Sequence, residues 1–146
     1  MKRFLVCLDA SPRAPGVLAA ATDMAQRMGA RMCLLRTVGL PPELDQAMFV
    51  HAAADVIDTM TARAKAELDE LSSGIPAALL EGVHVHIGTP WDTICREAKT
   101  LDCDLVVLGS HGYSGFDRIL GTTAGKVANH CERSVFVVRQ PPGAAR

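Results

Sequence analysis

The chain is 146 residues long, 49% hydrophobic and 4% aromatic, with a formal net charge of −1. That length suits one domain whose core needs no disulfide or metal staple. The near-neutral balance and the lack of a basic run argue against nucleic acid or an anionic membrane as main partner.

No stretch approaches the roughly 20 apolar residues of a membrane span, and MKRFLVCLD lacks the apolar run of a signal peptide. The five cysteines, Cys7, Cys33, Cys95, Cys103 and Cys131, are odd in number, widely spaced and never in C-x-x-C. Neither a zinc site nor a disulfide framework is suggested, and Cys7 and Cys33 read as small hydrophobes inside strands. A reducing, cytoplasmic compartment is the expectation.

Arg3 to Leu8 reads as a first buried strand that ends in the turn Asp9-Ala10-Ser11-Pro12. Val17, Leu18, Ala21, Met24, Ala25 and Met28 carry helical spacing over Gly16 to Met28, with Gly29 as C-cap. Arg31 to Val38 is a second strand. A long amphipathic helix is expected from Ala52 to Leu71, with Ala53, Val56, Ile57, Met60, Ala64, Leu68 and Leu71 as its apolar stripe, Asp58, Arg63, Lys65, Glu67 and Asp69 mostly facing water, and Ser72-Ser73-Gly74-Ile75-Pro76 as its stop.

Val83 to Ile87 alternates apolar residues with His84 and His86, which predicts a third strand with one apolar face. Gly88-Thr89-Pro90 leads into a helix with an early proline, its apolar face formed by Trp91, Ile94, Cys95 and Ala98. Leu105 to Leu108 is a strand apolar on both faces, followed by Gly109-Ser110-His111-Gly112. A last helix is expected over Thr122 to His130, then a last strand, Ser134 to Arg139. Residues 1–140 form one domain in this reading, and 141–146 a frayed tail.

Strands and helices therefore alternate, which means a parallel sheet with helices on both faces. The first and fourth strands would meet at a topological switch point, beyond whose carboxyl ends ligands bind. Asp9 is the acidic residue at that crevice. It could accept hydrogen bonds from a ribose diol or an adenine amine, or it could serve as a helix-entry cap, a role open to Ser11 as well.

Gly109, Gly112 and Gly121 lie between a buried strand and a helix start, where backbone amides can approach an anion closely. A phosphate-bearing ligand is the first expectation. Thr122 and Thr123 add hydroxyls that could cap the helix or touch phosphate or metal-bound water. GTTAGK, Gly121 to Lys126, is not a P-loop: three residues separate its glycines where four are needed, and Val127 follows the lysine. His84 and His86 share a strand face and could hold a metal. No third ligand is evident nearby, so a polar sheet edge is the preferred reading. No nucleophile–base pair emerges by spacing.

Over FLVCLDASPRA, Gly88-x-Pro90, LVVLGSHGYSGFDRILGTTAGKVANH and SVFVVR, the sequence resembles the universal stress protein family. The family's nucleotide-binding members carry G-x2-G-x9-G-[ST]. Here Gly109-x2-Gly112 matches, and Gly121-Thr122 follows after eight residues where the motif has nine.

The resemblance implies a flavodoxin-like α/β domain with strand order 3-2-1-4-5, binding ATP with Mg2+ held through the phosphates. It implies adenine near Asp9, Ala10, Ser11 and Val38. Leu108, Gly109, His111 and Gly112 would lie at the ribose and first phosphates, with Gly121, Thr122 and Thr123 at the outer ones. It also implies a homodimer through the last strand, and a stress-response regulator or sensor with at most slow hydrolysis or autophosphorylation. Its signalling partner is unspecified. A dimeric interaction module without nucleotide is the alternative.

Overall fold

In the computed structural model, residues 2–39, 50–110 and 120–139 are described, with 50–53 as backbone alone. The elements run β1 (Arg3–Cys7), α1 (Ala14–Met28), β2 (Arg31–Val38), α2 (Val50–Ser72), β3 (Leu80–Ile87), α3 (Pro90–Thr100), β4 (Leu105–Gly109), α4 (Thr122–His130) and β5 (Ser134–Val138). Five parallel strands form one sheet in the order β3-β2-β1-β4-β5, as the alternation and the resemblance require.

Strand alternation divides the core into two layers. Phe4, Val6, Met32, Leu34 and Val107 pack with Val17, Leu18, Ala21 and Leu68 of α1 and α2. Leu5, Cys33, Leu35, Val106 and Leu108 pack with Ile94 and Ala98 of α3 and Val127 of α4. The central strands are buried on both faces, as their continuous apolar runs demand. Each fully buried side chain of this kind contributes about 1.5–3 kcal/mol.

Most boundaries match the expectations within a residue or two. α1 begins at Ala14, two residues early, because Pro15 is tolerated in a first helical turn. Gly29 closes the helix in the left-handed conformation, and the amides of Gly29 and Ala30 cap its last carbonyls.

β3 begins at Leu80, three residues before the alternating stretch. Its register against β2 shifts between Met32 and Cys33, so Leu80 pairs with Met32 and Gly82 with Cys33. This irregularity puts Leu80, Val83 and Val85 on the same core layer despite their mixed spacing. Glu81, at the shift, receives Nε and Nη2 of Arg3 at 2.7 and 2.6 Å. The guanidinium holds the Glu81 carboxyl below its ordinary range.

A buried arginine links the sheet to α2. Arg36 donates Nε to the Leu8 carbonyl at 2.6 Å and Nη1 to Glu67 Oε2 at 2.8 Å. Glu67, expected to face water with its neighbours, is thereby half turned inward. The Leu8 contact fixes the end of β1 immediately before Asp9.

Candidate functional site

Four parts of the chain converge beyond the carboxyl ends of β1 and β4: the β1–α1 turn, the end of β2, the start of α3, and the end of β4 together with the start of α4. They enclose a cavity of about 500 Å³, within the size range of small-molecule sites. α1 packs on one face of the sheet and α4 on the other, so the chain diverges here and leaves a crevice.

Asp9 lies on the rim of this cavity. Its Oδ1 accepts the Ser11 amide at 3.0 Å, and Ser11 Oγ in turn accepts the Arg13 amide at 3.3 Å. These bonds build a turn of the Asx type. The N-cap of α1 is Arg13, with no side-chain cap bond, so Asp9 is not that helix's cap. Oδ2 of the exposed Asp9 has no hydrogen bond among the described residues.

The opposite wall is the start of α4. Gly109 ends β4, Ser110 follows it, and the Gly121 amide donates to the Ser110 carbonyl at 2.7 Å. That bond brings Gly121 back to the strand end. Gly121 is the N-cap of α4 in an extended conformation, with no side-chain cap. The Gly125 amide meets the Gly121 carbonyl at 2.9 Å, so the amides just before it in the first turn have no helical acceptor. They face the cavity beside Thr122 and Thr123 with the positive end of the helix dipole.

Of the residues named from the sequence, Asp9, Ser11, Leu108, Gly109, Gly121, Thr122 and Thr123 line this one space. Ala10 borders a shallower neighbouring recess that Asp9 and Ser11 share. Val38 is not among the lining residues. It alternates onto the other face of β2, and Thr37 beside it lines the cavity instead. His111 and Gly112 lie outside the described residues.

Three lining groups were not singled out in the sequence. Arg13 is the basic residue at the cavity among the described ones, placed by the same turn that presents Asp9. Ser110 is buried at the end of β4. Thr37 Oγ1 is buried with no hydrogen-bond partner among the described residues. Such a hydroxyl costs about 1–3 kcal/mol to leave unpaired. Thr37 stands second from the end of β2, a position whose importance only the switch point reveals. Cys7 lies on the cavity floor, its thiol pushed well above the ordinary range by burial.

The model of the universal stress protein family matches residues 1–139. The chain belongs to the universal stress protein family. Universal stress protein A homolog 2 of Coxiella burnetii is 28% identical over 139 residues, covering 94% of each chain. The solved structure of universal stress protein UspA from Lactobacillus plantarum superposes with a TM-score of 0.74 at 28% identity, over 94% of this chain and 97% of that one. The universal stress protein from Archaeoglobus fulgidus, solved in complex with dAMP, shares the fold with a TM-score of 0.64 at 21% identity, over 94% and 97%. A universal stress protein solved with cAMP does so with a TM-score of 0.60 at 20% identity, over 94% and 96%.

Outside this crevice, His84 and His86 of β3 have a carboxylate beside them: His86 Nε2 lies 3.1 Å from Glu97 Oε2 of α3. The fold supplies a neighbour that the spacing of the chain hides. Among the described residues, no helix is long and apolar enough to cross a membrane.

Proposed function

We propose that this protein binds an adenine nucleotide, ATP with Mg2+ in the first instance, and uses it to set its conformation or choice of partner in a stress response. The observation that carries this reading is that one cavity is lined both by the α4 N-terminus, which has no side-chain cap, and by Asp9, whose Oδ2 has no hydrogen bond among the described residues. One wall suits phosphate and the other suits hydrogen-bond donors on ribose or adenine. Relatives solved with dAMP and cAMP support a nucleotide as the ligand class.

The charges support a metal-bound triphosphate. Arg13 and the helix dipole together offer about 1.5 positive charges, fewer than a triphosphate carries negative ones. Mg2+ held by the phosphates supplies the difference, with the Thr122 and Thr123 hydroxyls near enough in sequence to meet its waters. The groups lining the cavity bind and orient; hydrolysis or autophosphorylation in this reading is slow and incidental.

In the same reading two chains pair through β5. Phe136 is 40% exposed on that edge strand, and an apolar edge is a surface a second copy can cover.

The test is the nucleotide content of the purified protein, followed by ATP titration calorimetry. Nucleotide bound, with affinity lost in Gly121→Val and weakened for adenosine too in Asp9→Ala, supports the reading. Silence at millimolar ATP refutes it and leaves a dimeric interaction module, whose support is the loop one residue shorter than the family's motif.

A further inference from the structure

We propose that His84, His86 and Glu97 form a binding site for a divalent transition-metal ion of the zinc class. The site is separate from the crevice and does not rest on the nucleotide reading. It lies on β3, an outer strand of the sheet, two strands away from β1.

Two elements bring the three ligands together. Beyond the register shift near Glu81, β3 alternates regularly, so Gly82, His84 and His86 share the face on which α3 packs, while Val83 and Val85 enter the other core layer. Ile94 and Ala98 bury α3 against the sheet. Glu97, between them on the helix surface, is held at the margin of that contact with its side chain 17% exposed.

The distances suit a small cation. One ligand atom from each residue lies within 4.8 Å of the other two, and His86 Nε2 is already 3.1 Å from Glu97 Oε2. Tetrahedral zinc with bonds of about 2.0–2.2 Å sets its ligands roughly 3.3–3.5 Å apart. Closing from 4.8 Å to that spacing takes at most about 1.5 Å. The two imidazoles lie nearly parallel, 4° apart in plane with centroids at 6.5 Å. A Cβ on residue 82 would stand 2.9 Å from His84 Nε2, so glycine there is what leaves that ring its place.

The chemistry selects the metal. Two neutral imidazoles and one carboxylate form a nitrogen-rich, singly negative set that suits zinc and its transition-metal neighbours, whereas Mg2+ and Ca2+ want oxygen throughout. Nearby cations are engaged elsewhere: Arg96 pairs with Asp92, and Lys99 with Glu132. Three protein ligands leave a fourth position for water, on a side where His86 is 42% exposed.

The experiment titrates the metal-stripped full chain with Zn2+ by calorimetry, then with Co2+ as a visible-absorption probe. One ion per chain is expected, with the strong visible bands of four-coordinate cobalt and no thiolate charge-transfer band. Loss of an outer-sphere partner already costs about 10–100-fold in metal affinity. His84→Ala, His86→Ala and Glu97→Gln should each therefore weaken Zn2+ at least tenfold, and so should His86→Gln, which keeps the side chain's bulk if His86→Ala folds poorly. A given Zn2+ concentration should raise the melting temperature of the parent chain more than that of these variants. Unchanged affinity in the variants, a weak octahedral cobalt spectrum, or a thiolate band assigning the ion to cysteines would each overturn the proposal.

Discussion

Gly88→Ala should be among the most damaging single-methyl additions in this protein. Gly88 turns β3 into α3 with φ of +155°, a conformation that L side chains rarely adopt. Forcing alanine into it costs about 1–3 kcal/mol. The new Cβ would also stand 2.9 Å from Oγ1 of Thr93, which is 2% exposed in the first turn of α3. Thr93 has little room to give, because its amide ties the backbone to the Thr89 carbonyl at 3.0 Å and its side chain is buried. Overpacking of this kind adds about 1–3 kcal/mol.

The sum at the lower end is about 2 kcal/mol, a large share of a typical stability of about 5–15 kcal/mol. At about 4 °C per kcal/mol for a domain of this size, the melting temperature should fall by at least about 8 °C. Two other glycines calibrate the reasoning. Gly29 has φ of +64° and open space around it, so Gly29→Ala should cost about 1 kcal/mol. Gly82 carries no such φ, and its Cβ would meet only the tip of the His84 ring, so Gly82→Ala should stay within about 1 kcal/mol of the parent. Urea unfolding of the three variants ranks them directly. A loss in Gly88→Ala no larger than that in Gly29→Ala would refute both the strain and the contact argument.

Thr37→Val replaces a buried hydroxyl that has no partner among the described residues with a methyl group of similar shape, so the ligand-free protein should gain about 1 kcal/mol in urea unfolding while nucleotide affinity falls; a loss of stability would mean that the hydroxyl is already satisfied. Asp104 ties the start of β1 by accepting the amides of Lys2 and Arg3, both at 2.9 Å, and those bonds hold its carboxyl below the ordinary range. A depressed carboxyl pKa stabilises the fold above the unfolded value of about 3.9 and loses that contribution as pH falls through the folded one. Acid unfolding below about pH 4 should accordingly be shallower in Asp104→Asn, and identical acid limbs in the two proteins would refute the assignment.

Much of the fold was legible because its signals are local. Doubly apolar runs such as Leu105 to Leu108 can be satisfied only inside a sheet, and the stripe of Ala64 and Leu68 only against one. Glycine and proline at Gly29, Gly88 and Pro90 punctuate the chain wherever the backbone changes direction. The extra start of β3 was hidden because a register shift breaks the period that reveals a strand. The inward turn of Glu67 was hidden because its partner, Arg36, is 31 residues away.

The same division runs through the residues that line the cavity. Asp9, Gly109, Gly121 and the two threonines could be named from sequence, since each sits where a buried strand or a helix start exposes its backbone or carboxylate. That Thr37 takes the cavity wall in place of Val38 follows from which face of β2 looks into the crevice, and a single strand read alone has no absolute face. Glu97 beside His86 is likewise a product of packing α3 onto β3. Sequence sets the period of each element and therefore which residues travel together. Only the tertiary structure fixes the phase between elements, and with it the residues that meet.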